Sequence, residues 1–140
     1  MSTSLYQETD RVRRHTLPEI NERIDADIDI TLKRYTGASR DVLTRRIDEL
    51  DREWDIERAL ETNAATVALL SLILSKLHNR KWTWLSTGVV AFLLQHALQG
   101  WCPPVSIFRR IGIRTQSEID REKYILKALR GDFEDYLKSS

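Results

Sequence analysis

The sequence predicts an all-α protein in which a two-helix transmembrane hairpin is flanked by amphipathic cytoplasmic helices. Three observations favour this fold class. Residues 82–108 are twenty-seven positions without a charged side chain in a chain that is 31% charged, and such a run is typical of a membrane span. Residues 62–75 form a second uncharged run, of fourteen residues. On both sides of these runs apolar residues recur at helical spacing.

Residues 1–61 are predicted to form amphipathic cytoplasmic helices. We expect residues 1–15, which are mostly polar, to be ordered only through contact with something else. Thr16 and Glu19 have the spacing of a capping box, which predicts the start of a helix. Gly37 predicts the end of that helix, because glycine adopts the left-handed conformation common after a last helical turn.

Apolar residues line one side of each helix predicted in this segment. In the first helix they repeat at about one helical turn, and in the second they are spaced four, three and four, as in a coiled-coil seam of under two heptads. A seam of that length suits a hairpin of the two helices. We also expect it to provide a face for self-association or for docking a partner, carried by Ile24, Ile28, Leu43, Ile47, Leu50 and Trp54.

Residues 62–104 are predicted to form the transmembrane hairpin. The run at residues 62–75 is short for a span, but the polar turn at residues 78–81 joins it directly to the longer run. Two helices connected by so few residues must be antiparallel neighbours. The second helix should end near Gly100 or Trp101, because two prolines follow and the residue before a proline avoids the helical conformation.

Tryptophans at both ends of the second helix predict the membrane interfaces. Trp82 and Trp84 lie seventeen to nineteen residues before Trp101, which is about 25 to 29 Å of helix. Indole rings favour the headgroup level, and a bilayer hydrocarbon core is about 30 Å thick. About eight basic residues flank the outer ends of the hairpin against three at its tip, so both termini are expected to be cytoplasmic.

Small and polar residues predict how the two helices of the hairpin pack. Small side chains on one face allow close approach of another helix. An amide that points into lipid is unsatisfied, so we expect two glutamines to bond across the hairpin or across a dimer seam. A polar site between the helices is the alternative. The predicted faces are Ala64, Ala68, Ser71 and Ser75 in the first helix and Gly88, Ala91, Gln95 and Gln99 in the second.

Cys102 and His96 are a candidate thiol site near the end of the second helix. Arg109 and Arg110 follow within a few turns, and cationic neighbours favour the reactive thiolate. The alternative is structural, with a small residue in a turn and a histidine that bonds a neighbour. One cysteine excludes an internal disulfide and, with three histidines, a structural zinc site. No catalytic motif, cofactor loop or nucleic-acid-binding pattern is present.

Residues 105–140 are predicted to form an interfacial segment and a C-terminal helix. Apolar residues alternate with the arginines of residues 109–114, which is typical of a short helix whose arginines face lipid phosphates. Thr115 and Glu118 predict a capping box for the last helix. Gly131 predicts its end.

A hairpin opened by Asn63 and closed by Cys102-Pro103, followed by Ile-Gly-Ile-Arg-Thr at residues 111–115, resembles the YgaP-like inner-membrane family, a domain of unknown function. The resemblance covers residues 61–115. It implies two transmembrane helices, a bacterial inner membrane, cytoplasmic termini and a tendency to dimerise. The best-described family member carries a rhodanese domain with the reactive cysteine. That domain has no counterpart in these residues, and a basic residue common early in the first span is missing.

The sequence therefore predicts a non-enzymatic small integral membrane protein that serves as an anchor, an oligomerisation module or a docking module. Its expected partners are the lipid bilayer and either a second copy or another membrane or cytoplasmic protein, without a cofactor. One alternative is a carrier of sulfane sulfur on Cys102 at the membrane face. Another is a soluble helical bundle that binds other proteins.

Overall fold

The computed structural model describes residues 10–138, without the side chains of residues 135 and 136. This part of the chain contains helices and no strand, which confirms the all-α prediction. The helices are α1 (Arg11–Arg14), α2 (Pro18–Tyr35), α3 (Arg40–Arg52), α4 (Ile56–Leu77), α5 (Trp82–Gln99), α6 (Pro103–Arg110), α7 (Gln116–Arg130) and α8 (Glu134–Lys138).

Helices α4 and α5 pack against each other as an antiparallel pair. Where α4 begins and α5 ends, Oε2 of Glu57 lies 2.7 Å from Nε2 of His96. At the opposite end the hydroxyls of Ser75 and Thr83 are 2.7 Å apart. We call the level of the Glu57 and His96 pair the root, and residues 62–95, including the turn at the tip, the arm.

The remaining helices form a base at the root. Both α2 and α3 pack on α7, so the seam predicted between α2 and α3 has α7 as its main partner. The reason is that α7 also carries an apolar stripe, which the two helices cover from different sides. The apolar core of this layer consists of Leu43, Ile47, Leu50, Ile119 and Leu126, with Leu32 and Tyr35 packed against it.

The predicted association face is therefore wrong for five of its six residues, because they are buried inside the chain. Only Trp54 is exposed, at 47%, and its ring lies 4.6 Å from the Arg58 guanidinium carbon. The buried residues are Ile24 (3%), Ile28 (2%), Leu43 (2%), Ile47 (4%) and Leu50 (2%).

A second apolar cluster joins the arm to the base. Ile56 and Leu60 of α4 meet Val105 of α6 and Val12 of α1 in this cluster. In α1, which belongs to the segment predicted to be ordered only through contact with something else, that contact is with the rest of the chain. Residues 1–9 lie outside the described part.

The helix ends follow the predicted signals in most places. Thr115 and Glu118 form the predicted capping box at the start of α7. Gly37 and Gly131 have positive φ angles of 81° and 91° next to the ends of α2 and α7, as predicted. Ser39 precedes α3 but its side chain makes no capping hydrogen bond.

The capping box predicted at Thr16 and Glu19 is wrong. The N-cap of α2 is Leu17, without a side-chain cap. The Thr16 hydroxyl instead donates to the carbonyl of Val12, 2.7 Å away. Thr16 therefore completes the end of α1, and Pro18 alone favours the start of α2.

Gly100 ends α5 at a point where the chain requires glycine for two reasons. Its φ is +74°, and a Cβ at this position would lie 2.5 Å from Cβ of Arg11. The Arg11 guanidinium donates to the carbonyl of Ala97 at 3.0 Å. Helix α1 is thereby held against the end of α5, which confirms that the second hairpin helix ends near Gly100.

Candidate functional site

Away from the polar tip, most large exposed side chains of the arm are apolar, and they lie on several sides of its helices. Consecutive residues of a helix point about 100° apart, so neighbouring exposed residues cannot form a single stripe. In α4 the exposed apolar residues include three in a row. They are Leu69, Leu70, Leu72, Ile73, Leu74 and Leu77 in α4, and Trp84, Leu85, Val90, Phe92 and Leu94 in α5.

Five of the seven hydroxyl groups of the arm have a hydrogen-bond partner inside it. Thr66 and Thr87 each donate to a carbonyl one turn earlier in their own helix. Ser71, which is 2% exposed, donates to the carbonyl of Val67 at 2.7 Å. With the bond between the Ser75 and Thr83 hydroxyls, these groups need no water. A contiguous exposed apolar surface of this kind marks a site of contact with another protein or with a membrane.

One helical stretch of the described chain is long and apolar enough to cross a membrane. It lies within Arg40–Leu77, and only 17% of its most apolar segment of 18 residues is buried in the molecule. Residues 53–55 interrupt the helix, so the apolar part belongs to α4. Helix α5 is not among the described stretches with this length and composition.

The predicted packing face of α4 lies toward α5, whereas that of α5 lies there only in part. Ser71 is buried, and its neighbours on the face are half-buried. In α5, however, Ala91 and Gln99 are exposed, and no atom lies within 4 Å of a Cβ built on Gly88. The side of α5 that meets α4 is therefore rotated about the helix axis relative to the predicted face. Side chains that are buried or half-buried recur along it at helical spacing, at Ser86, Val89, Leu93 and His96. The half-buried residues beside Ser71 are Ala64, Ala68 and Ser75.

Cys102 lies just past the end of α5, in the base core, and is 1% exposed. It forms part of the wall of a cavity of about 90 Å³ between α4 and α5. Burial raises the pKa of the Cys102 thiol, and the charge of Glu57 adds to this against an opposing hydrogen bond from the Val105 N–H. The cavity is also lined by Leu60, Asn63, Ala64, Val67, Val89, Phe92, Leu93 and Pro104.

No cation in the described part of the chain lowers the pKa of the Cys102 thiol, contrary to the prediction that nearby arginines favour its thiolate. Arg109, the first of these arginines in the sequence, has another partner. The Arg109 guanidinium is fully buried and bound to Glu118. His96, predicted to assist Cys102, is bound through Nε2 to Glu57, and its buried Nδ1 has no hydrogen-bond partner among the described residues. The thiol therefore has a carboxylate rather than a cation as its charged neighbour.

Two buried glutamates of α7 organise the base, and sequence reasoning missed both roles. Glu118 receives a bidentate contact from Arg109, with N to O distances of 2.7 Å, and a further ion pair from Arg13. Asn21 accepts from Arg109 at 2.8 Å. Burial alone would raise the pKa of Glu118, but hydrogen bonds and charges, chiefly from Arg109, lower it overall.

Glu122, one turn further along α7, holds a second pair of arginines. Arg46 lies 2.9 Å and Arg114 2.5 Å from its carboxylate oxygens. Arg114 also pairs with Glu53. The prediction that the arginines of residues 109–114 face lipid phosphates is thus wrong for Arg109 and Arg114. The signal that could have identified these glutamates is their position on the same face of α7 as its buried apolar residues.

The three tryptophans predicted at the membrane interfaces differ in their surroundings. Trp84 is 79% exposed near the tip. Trp82 is half-buried and donates to Nδ1 of His78 at 3.2 Å. Trp101 is half-buried in the base, where its indole N–H lies 3.3 Å from the Ser106 hydroxyl. The belts remain a prediction.

No family model, curated protein or solved structure matches this chain. The likeness of residues 61–115 to the YgaP-like family therefore stays a prediction.

Proposed function

We propose that this chain is a non-enzymatic integral membrane protein whose arm is inserted in a lipid bilayer and whose base stays in water beside it. The apolar exterior of the arm carries this proposal. Exposing that many leucine, valine and aromatic side chains to water is costly, whereas lipid solvates them. The internal hydroxyl bonds agree with it, since polar groups in lipid must be satisfied within the protein.

The proposal places the protein in a bacterial inner membrane with the base and both termini in the cytoplasm. Its support is the excess of basic residues outside the hairpin over the three at the tip, together with the resemblance described above. In this position the base would anchor or assemble partners at the membrane surface.

Self-association through α5 is part of the proposal. The Gln99 side chain is exposed and the Gln95 side chain is half-buried. Gln95 is the last residue of the arm and Gln99 lies one turn beyond it, beside the root. Both amides therefore stand at the edge of the lipid, where an amide on another helix can bond them. A second copy, with the same residues on the same face, provides one.

Fractionation of cells that produce the full chain tests membrane insertion. The wild-type protein should remain in the membrane pellet after an alkaline wash. Leu70→Lys places a charge on the outer surface of the arm and should move most of the protein to the supernatant. The matched control is Ile30→Lys in the base, where the side chain is 55% exposed and a lysine should leave the protein in the pellet.

A soluble bundle would behave in the opposite way. Wild-type protein in the high-speed supernatant without detergent, with Leu70→Lys equally soluble, would refute the membrane proposal and favour a soluble protein-binding bundle.

A second proposal, a sulfane-sulfur carrier, is favoured by the cavity beside Cys102. Its thiolate would take the outer sulfur of thiosulfate, forming a persulfide and releasing sulfite. The raised pKa works against it. Mass spectrometry after incubation with thiosulfate should show a 32 Da adduct that Cys102→Ala lacks. The absence of any adduct on the wild-type protein would refute this proposal.

A further inference from the structure

The stretch between the polar residues at the root end and the basic residues at the tip is equally long in both helices of the arm. Residues 62–75 of α4 lie between Glu61 and Lys76, and residues 82–95 of α5 lie between Lys81 and His96; each segment has fourteen residues. At 1.5 Å per residue this is about 21 Å. An ordinary hydrocarbon core is about 30 Å thick.

The root prevents the arm from sinking deeper. The Glu57 carboxylate, bound to His96, is 45% exposed, and Glu61 is exposed one turn closer to the arm. Drawing this level into hydrocarbon would bury carboxylates that now meet water. The folded base around Ile56 and Leu60 blocks the same movement.

The basic residues at the tip set the other end of the segment that can lie in hydrocarbon. The bond between Ser75 and Thr83 holds the two helices together there, so Lys76 and Lys81 emerge at the same end. Lysine side chains reach a few ångströms toward the headgroups, which recovers part of the missing length. Tilting recovers none of it, because a tilted helix spans less of the membrane.

We infer that the arm fits a bilayer with a hydrocarbon core of about 21 Å, formed by short acyl chains, and crosses a thicker bilayer less readily. This inference rests on the proposed membrane insertion. Its physical basis is hydrophobic mismatch, since a short span in a thick bilayer leaves its charged ends among acyl chains.

Reconstitution of the purified full chain into phosphatidylcholine vesicles tests the inference. The vesicles carry monounsaturated chains of fourteen, eighteen or twenty-two carbons with a constant share of phosphatidylglycerol. Asn79→Cys, in a Cys102→Ala background, marks the tip for a membrane-impermeant maleimide enclosed in the vesicles. The labelled fraction should be at least about threefold higher with fourteen-carbon than with twenty-two-carbon chains.

A lengthened arm provides the matched variant. Seven apolar residues inserted after Leu70 and after Val90 add two turns, about 10 Å, and nearly keep each helix face in place. Its labelling should be highest with the longer chains. The control is a seven-residue insertion after Gly37, an exposed turn of the base, which should keep the wild-type dependence.

The outcomes separate the two proposals. Labelling of the wild type that is equal in all vesicles, or highest with twenty-two-carbon chains, overturns the thickness inference although insertion stands. A protein that floats with none of the vesicles refutes membrane insertion itself. If the lengthened variant fails to fold, the wild-type series alone decides.

Discussion

Glu118 is the single side chain on which the base depends most for electrostatic balance. It is fully buried and pairs with Arg13 and Arg109, whose side chains are also fully buried, while Arg13 has a second partner in Asp25, 2.8 Å away. Removing one member of a buried ion pair lowers stability by more than the intact pair contributes to it. The charge that remains is still buried but no longer has a partner. Glu118 also closes the capping box of α7.

Glu118→Gln should therefore lower the free energy of unfolding by about 3 to 5 kcal/mol. Thermal unfolding in mild detergent, followed by circular dichroism, measures the change. Glu22→Gln, at an exposed position of α2, is the control and should have almost no effect. Equal stability of the two variants would contradict the role assigned to Glu118.

The same carboxylate gives the base a defined pH dependence. The pKa of Glu118 is lowered from its usual value of 4.5, so the unfolded chain takes up a proton at a higher pH than the folded chain. Its contribution is complete above about pH 4.5 and is lost as the pH falls through the lowered pKa. The acid-induced loss of stability should be smaller in Glu118→Gln than in the wild type.

Gly100 tests the contact between α1 and the end of α5. Gly100→Ala adds a strained backbone, costing about 1 to 2 kcal/mol, and a steric overlap with Arg11. Gly37→Ala isolates the strain, because Gly37 has a similar φ of +81° and nothing within 4 Å of its Cβ. Unfolding in detergent should show a clearly larger loss of stability for Gly100→Ala. Equal losses for the two variants would mean that α1 moves away from the added methyl group without a loss of stability.

At the scale of the helices, periodicity in the sequence identified most elements but not their partners. The apolar stripes of α2 and α3 were recognised, yet a stripe looks the same whether it meets another chain or α7. The capping patterns at Thr16 and Thr115 are alike in sequence. Only Thr115 forms the box, because Thr16 belongs to the end of a preceding helix. The two glutamate clusters join residues far apart in the chain, and no local pattern records such pairings.

Ile47→Asp distinguishes a core residue from an association surface. Ile47 is 4% exposed, and a carboxylate at this site would be buried without a partner, so we expect a loss of at least about 3 kcal/mol. Val42→Asp, at a 39% exposed position of the same helix, is the control and should change stability by under about 0.5 kcal/mol. An Ile47→Asp protein that stays folded but no longer self-associates would support the association face and contradict the core assignment.

At the scale of the whole molecule, an apolar arm projects from a base held by ion pairs. Helix α5 carries two amides, Gln95 and Gln99, through which we propose that two copies associate. Replacing Gln95 and Gln99 together by leucine should lower the dimeric fraction severalfold in cross-linking of detergent-solubilised protein, because it removes the hydrogen bonds proposed between copies. Thr87→Val is the control, since its hydroxyl already donates to Thr83. An unchanged dimeric fraction would refute this seam.

The docking of α1 also sets an order of events during synthesis. Arg13 pairs with Glu118, 105 positions later in the chain, and Val12 completes a cluster that includes Val105. The site that receives α1 does not exist until α6 and α7 have been made. At typical translation speeds this delay is on the order of ten seconds. Helix α1 precedes the other described helices in the chain and is nevertheless among the last of them to dock.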